Sequence, residues 1–318
     1  MTDLSDDALA HLRQVLLGPE VPGGRYRIGE RLGEGGMGMV YRAHDQVLDR
    51  AVALKVLRPE LGEPTLAQRL VREAMILARL EHPGIVPVHD AGELADGRVF
   101  YVMKLVRGDR LDAFAATRPL NEVLRVFLRV CETVGFAHAQ GIIHRDLKPA
   151  NIMVGGFGEV LVLDWGIARV LGSAEAEPVD GAAATGVGGA EITAAGTVLG
   201  TPGFMAPEQA QGTMGQVDAR SDVWALGAIL RGLAGVATPP PLASICRQAT
   251  APLPGDRYES AAELSADVAR FLDGAPVRAH RESLAERAGR LYLKYQTPII
   301  LVLSYLAMRL LFLLWRGR

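Results

Sequence analysis

The chain has 318 residues, 49% of them hydrophobic and 22% charged, with a formal net charge of -2. That composition excludes a disordered chain, and the lack of any basic excess argues against nucleic acid as a partner. The two cysteines, Cys131 and Cys246, form no CxxC pair and sit near no histidine at metal spacing, so they read as small buried apolar residues in a reducing compartment.

In chain order, residues 1–24 form an extension in which Leu4, Ala8, Leu12, Val15 and Leu16 recur at helical spacing. Gly18-Pro19 and Pro22-Gly23-Gly24 stop that pattern, and the acidic start lacks the apolar core of a signal peptide. Tyr26–Leu32, Met39–His44 and Ala51–Leu57 predict three short strands between glycine-rich or charged turns. Residues 65–80 carry a helical apolar stripe, and Val86–His89 and Val99–Leu105 predict two more strands. From Asn121 the pattern turns mainly helical, while residues 172–196 are rich in Gly, Ala, Glu and Thr without apolar periodicity and read as a loop. A small β-rich part followed by a larger helical part predicts an α+β fold of two lobes with a cleft between them. The run PIILVLSYLAMRLLFLLW, Pro298 to Trp315, stands apart with a single charge.

Gly33-Glu34-Gly35-Gly36-Met37-Gly38 matches GxGxxG. A dinucleotide fingerprint opens into a helix. Here Met39-Val40-Tyr41-Arg42-Ala43 continues as a strand, so the glycines join two strands and let backbone N–H groups approach phosphate oxygens. Val40 would then cover an adenine. Lys55 follows inside the apolar strand Ala51-Val52-Ala53-Leu54. Alone it would read as a snorkelling edge lysine. At this distance from the glycine loop it reads as a ligand for the α- and β-phosphates. A buried ammonium needs a counter-ion, and Glu73 on the helical stripe is the best placed, with Glu81 as the alternative at the helix end.

His144-Arg145-Asp146-Leu147-Lys148-Pro149-Ala150-Asn151 is the most specific signal. Asp146 suits a group that takes or orients the proton of an attacking hydroxyl. Lys148 can neutralise charge on a transferring phosphoryl group, and Asn151 offers a neutral oxygen to a hard cation such as Mg²⁺. Asp164 ends the apolar run Leu161-Val162-Leu163 and is the expected main Mg²⁺ ligand.

These motifs, in this order and spacing, resemble a bacterial eukaryotic-like serine/threonine protein kinase over roughly residues 25–273. The resemblance implies a two-lobed protein-kinase fold, ATP and Mg²⁺ as cofactors, and protein hydroxyls as acceptors. It places Ala53 and the gatekeeper Met103 beside the adenine, and Lys104, Leu105 and Val106 in the hinge. Ala206-Pro207-Glu208 matches the APE motif, Arg257 its partner arginine, Asp222 the buried support of the catalytic loop, and Thr201 the substrate-loop threonine. Thr197, four residues before Thr201, is the expected autophosphorylation site, with Arg145 as its receiver and Thr193 and Thr185 as rivals. The implied boundaries are an extension 1–24, an N-lobe 25–107, a C-lobe 108–273 with the activation segment at 164–208, a juxtamembrane stretch 274–297 and a membrane helix 298–315.

Three departures from the family stand out. Trp165 replaces the phenylalanine of DFG, Lys104 occupies a hinge position that is commonly acidic, and between Leu233 and Ile245 about thirty residues, including a substrate-docking helix, are missing. The last of these keeps open a pseudokinase or nucleotide-binding scaffold as the alternative. For the tail, 18 residues make a helix of about 27 Å, near the thickness of a hydrocarbon core. Arg309 would cost about 2.5–3.5 kcal/mol near the midplane unless it snorkels with Arg316 and Arg318. Tyr292, Tyr295 and Trp315 fit interfacial positions. Arg281, Arg287, Arg290 and Lys294 precede the run, which favours a single-pass tail anchor in the cell membrane with the kinase on the cytoplasmic side. Tethering would raise local concentration and favour self-association for trans-autophosphorylation.

Overall fold

The structure is a computed structural model that describes residues 21–34, 38–57, 64–165, 169–170, 203–211 and 217–316. The first lobe is an antiparallel sheet of β1 (Tyr26–Glu34), β2 (Gly38–Asp45), β3 (Arg50–Leu57), β4 (Val88–Glu93) and β5 (Val99–Lys104), in the order β1-β2-β3-β5-β4, with helix α1 (Pro64–Arg79) packed on it. Every residue of β3 from Val52 to Leu57 is buried, as expected of a strand covered on both faces. Val52, Leu54 and Val56 join Tyr26, Phe100 and Val102 in a cluster on one face. Leu57 and Tyr101 belong to the main core, which also holds Leu70 and Leu77 of α1. Strand alternation therefore puts Lys55 on the side of α1 and the cleft. The register sets Lys55 opposite Val40 on one side and Tyr101 on the other.

The second lobe begins with β6 (Gly108–Arg110), α2 (Leu111–Ala116) and α3 (Leu120–Ala139). Val123, Leu124, Phe127, Val130, Cys131 and Val134 form the buried stripe of α3. Strands β7 (Ile142–Ile143), β8 (Ile152–Gly155), β9 (Val160–Val162) and β10 (Arg169–Val170) form two small sheets, β6-β8-β9 and β7-β10. Helices α4 (Pro207–Ala210), α5 (Ala219–Ala234), α6 (Pro240–Ala249) and α7 (Ala261–Leu272) follow, and α5 and α7 pack on α3. Only residues 235–239 separate α5 from α6, the short connection that the sequence led one to expect.

One strand differs from its expected place. Of the run Val86–His89 only Val88 and His89 are strand; β4 covers Val88–Glu93. Pro87 lacks an N–H for a ladder, and Ile85 is used elsewhere, in a parallel bridge to Val162. The Val162 N–H donates to Gly84 O at 2.8 Å, which ties the two lobes together just before β4.

The C-terminal helix α8 runs unbroken from Leu284 to Arg316. The expected boundary between 274–297 and 298–315 is therefore not a break in secondary structure. Along α8, Ile300, Leu301, Val302 and Leu303 are all exposed. Four consecutive helical residues, about 100° apart, present apolar groups on every side. Among the described residues no helix is long and apolar enough to cross a membrane. The side chains of Leu310, Leu311, Leu313 and Leu314, which complete the apolar run in the sequence, lie outside the described residues.

Candidate active site

Lys55 sits between the lobes. Its Nζ donates to Glu73 Oε1 at 2.8 Å, to Glu73 Oε2 at 2.9 Å and to Asp164 Oδ1 at 3.0 Å. Lys55 is 7% exposed and Glu73 1%, so neither charge could stay ionised there without the other. Burial alone would lower the Lys55 ammonium; the carboxylates of Glu73 and Asp164 outweigh it and hold it well above the ordinary lysine range. The same ammonium holds the Asp164 carboxyl below the usual carboxylate range. Tyr101 adds a contact that the sequence reading missed: its hydroxyl donates to Glu73 Oε1 at 2.8 Å. Burial pushes that hydroxyl well above its ordinary value, so it remains a protonated donor.

The catalytic loop follows β7 and depends on α5. Arg145 has φ 70° and Asp164 φ 59°, left-handed conformations that non-glycine residues rarely adopt. The strain at Arg145 is held in place by Asp222 on the first turn of α5, which accepts from His144 N at 2.8 Å and Arg145 N at 2.9 Å. His138 Nε2 lies 2.8 Å from the same carboxylate. Burial would raise the Asp222 carboxyl, yet the His138 and His144 contacts keep it below the usual range. Asp146 emerges from this loop with Lys148 Nζ at 2.7 Å from Oδ2. The Asn151 amide nitrogen donates to Asp146 O at 2.9 Å, leaving its oxygen as an acceptor on the other side. Gln209 Nε2 donates to Arg145 O at 3.0 Å, linking α4 to the loop.

Trp165 is fully buried. Its Nε1 donates to Val162 O at 3.2 Å, and its ring lies 4.6 Å from that of His144. The larger aromatic group is accommodated with its one polar atom satisfied, and Asp164 still faces Lys55.

At the nucleotide end, Gly33 and Glu34 close β1 against Val40 and Met39. A Cβ on Gly38 would lie 2.6 Å from Val56 O, so only glycine fits there. Gly35, Gly36 and Met37 lie outside the described residues, as do Thr185, Thr193, Thr197 and Thr201. Val40 is half-buried, and buried Ala53 pairs with Met103. Lys104 is the last residue of β5, and Leu105 and Val106 carry the chain out of the sheet, both half-buried. The Lys104 ammonium lies 3.2 Å from Glu159 in the hairpin between β8 and β9. This is a surface pair, worth roughly 0–1 kcal/mol.

For a hard cation the available donors are Asp164 and Asn151. Among the described residues no cluster of three or more His, Cys, Asp or Glu could hold a metal alone. A cation here would take its remaining ligands from phosphate and water, which is how magnesium is usually bound.

Comparison with known proteins agrees with this geometry. Residues 26–273 match the family model described as protein kinase domain. The serine/threonine-protein kinase PknD of Chlamydia trachomatis is 34% identical over 87% of this chain and 34% of its own length. A probable serine/threonine-protein kinase of Streptomyces coelicolor is 36% identical over 85% of this chain and 43% of its own. The chain thus spans about a third of the length of the Chlamydia relative. The crystal structure of the Mycobacterium tuberculosis PknI kinase domain superposes with a TM-score of 0.57 at 28% identity, covering 80% of this chain and 98% of that one.

Proposed function

This chain belongs to the protein kinase family, and from that premise we propose that it is a serine/threonine protein kinase that transfers the γ-phosphoryl group of ATP to protein hydroxyls. The observation that carries the reading is the Lys55 ammonium bonded at once to Glu73 of one lobe and Asp164 of the other. That contact forms only when helix α1 is turned inward and Asp164 faces the cleft.

The roles follow from chemistry and place. Lys55 holds the α- and β-phosphates, with Glu73 fixing its position and Tyr101 fixing Glu73. The glycine loop at 33–38 covers the phosphates, while Val40, Ala53 and Met103 enclose the adenine beside the backbone of Lys104, Leu105 and Val106. Asp164 and Asn151 are the residues that would hold magnesium, which when bound supplies positive charge against the phosphates. The acceptor oxygen forms the new bond to phosphorus as the bond to the ADP oxygen breaks, and Asp146 takes the hydroxyl proton. Lys148, already paired to Asp146, is placed to neutralise the phosphoryl oxygens. Autophosphorylation at Thr197, received by Arg145, is part of the same proposal. Incubation with labelled ATP and Mg²⁺ tests it: label should appear on serine or threonine of this chain and of a generic protein acceptor. Label on neither overturns the reading.

We further propose that 298–315 anchors the chain in a membrane, single-pass, with the kinase on the cytoplasmic side. The support is the apolar exposure around α8, which has no favourable place in water, and the basic residues Arg281, Arg287, Arg290 and Lys294 before it. Flotation with liposomes separates the cases. The full chain should float and a chain ending at residue 297 should not; a full chain that stays in the soluble fraction contradicts the anchor.

A further inference from the structure

Residues 273–283 connect α7 to α8, and their sequence, Asp-Gly-Ala-Pro-Val-Arg-Ala-His-Arg-Glu-Ser, has the small, proline-containing and polar composition of a flexible tether. The structure holds this connection along its length instead. Asp267 of α7, 1% exposed, accepts from Arg278 N through Oδ1 at 2.8 Å and from Ala279 N through Oδ2 at 3.0 Å. Tyr258 Oη donates to the same Oδ2 at 2.9 Å and fixes the carboxylate. Val277 is buried in the main core, and Ala279 packs against it. At the start of the connection Ala275 N donates to Arg270 O at 2.8 Å. A segment pinned by backbone bonds to a buried carboxylate and by a core side chain is not a mobile loop.

The far end is fastened to α8 itself. Ser244 Oγ on α6 lies 3.1 Å from His280 Nδ1, and His280 Nε2 lies 3.4 Å from Glu286 Oε1 on the first turn of α8. Glu286 Oε2 accepts from Ser283 N at 2.7 Å and from Ser283 Oγ at 2.9 Å, while Ser283 Oγ accepts from Glu286 N at 3.2 Å. This reciprocal cap sets the direction in which the helix starts. Contacts therefore run from Ser244 through His280 and Glu286 into a helix that continues to Arg316. Only Arg281 and Glu282 lie between His280 and the cap.

We propose that residues 273–286 clamp α8 to the second lobe as a rigid arm, so that the cleft is carried at a fixed distance and heading from the apolar run 298–315 rather than swung on a tether. Residues 284–297 give the arm a length of about 21 Å. Combined with the anchor reading, an acceptor must present its hydroxyl at that set height, and two anchored copies meet in one relative orientation. The clamp itself rests on neither the anchor reading nor the phosphate-transfer reading.

Electron-spin distance measurement on the full chain in detergent tests it, with no need of nucleotide or of a bilayer. Spin labels go on Val236→Cys in the lobe and Tyr295→Cys on α8, both exposed positions. The native thiols Cys131 and Cys246 are buried and stay unlabelled. This chain should give one narrow distance distribution. Gly-Ser-Gly-Ser inserted between Arg281 and Glu282 should widen it by about 10 Å, the r.m.s. span of four flexible residues. His280→Ala removes the link between α6 and α8 without touching the core. Asp267→Asn sets an amide NH2 group against a backbone N–H. Each should widen the distribution toward that of the inserted chain, and if Asp267→Asn does not fold, His280→Ala decides alone. A distribution already as broad as that of the inserted chain overturns the proposal. So does a narrow one that His280→Ala and Asp267→Asn leave unchanged, because something other than these contacts then holds the arm.

Discussion

The buried ion pair of the second lobe gives the sharpest test of the energetics. Arg257 grips Glu208 through two bonds, Nη1–Oε1 at 2.7 Å and Nη2–Oε2 at 2.8 Å. Its remaining N–H groups donate to Ala251 O, Arg220 O and Pro252 O, so all five donors are used. Ser221 Oγ donates to Glu208 Oε1 at 2.7 Å. The two side chains are 0% and 5% exposed. Arg257→Met would leave the carboxylate buried with Ser221 as its chief remaining partner, a loss of about 3–5 kcal/mol. For a chain of this size that is a fall of about 6–20 °C in Tm. The pH dependence carries a second signature. In the intact chain burial would raise the Glu208 carboxyl, but Arg257 and Ser221 hold it below its ordinary value. Its contribution is therefore full above the ordinary carboxylate range and fades as pH falls through the depressed value. In Arg257→Met the burial remains and the guanidinium does not, so the carboxyl is raised and the deficit shrinks as pH drops. Glu208→Leu with Arg257→Met should recover part of the loss, because no charge is then buried alone. Thermal unfolding across pH checks all of this. A loss below about 1 kcal/mol, or a deficit that does not change with pH, would refute the reasoning.

Further consequences are open to the same kind of measurement. Tyr101→Phe removes one donor from Glu73 and should cost about 1 kcal/mol of transition-state stabilisation, or roughly fivefold in kcat/KM; an unchanged value would show that Lys55 alone positions Glu73. Gly84→Ala would set a Cβ 1.9 Å from Thr133 Oγ1, so urea unfolding should show a loss of about 1–3 kcal/mol, relieved by Thr133→Ala in the same chain. Asp222 is held below the usual carboxylate range while accepting from two backbone N–H groups. Its stabilisation is present above the ordinary carboxylate value and lost as pH falls through the depressed one, so Asp222→Asn should destabilise at neutral pH and flatten the acid limb of the stability curve.

What the sequence made legible was whatever is local along the chain. Strand β3 and helix α1 announced themselves by a short apolar run and by a helical stripe, so Lys55 and its partner Glu73 could be paired from the sequence. Asp146, Lys148 and Asn151 lie within one short loop whose order is itself the signal. The strand after α1 starts two residues later than its apolar run because Ile85 is taken by the bridge to Val162 and Pro87 delays the ladder. Tyr101 and Gln209 were missed for a different reason: their partners, Glu73 and Arg145, are 28 and 64 residues away. A tyrosine in the inward register of an apolar strand was the one available clue, since its hydroxyl must find a partner. The Lys104–Glu159 contact is equally long-range, spanning 55 residues.

The central claim is that this chain's own cleft carries out phosphoryl transfer, and Asp146→Asn tests it most directly. Transfer of labelled phosphate from ATP and Mg²⁺ is measured for the unsubstituted chain and the variant, alongside nucleotide affinity. The account predicts transfer in the first, a loss of about 10²–10⁴-fold in the variant, and affinity for nucleotide nearly unchanged. Nucleotide binding without transfer in either chain would make this a nucleotide-binding scaffold, and transfer undiminished in the variant would remove Asp146 from the chemistry.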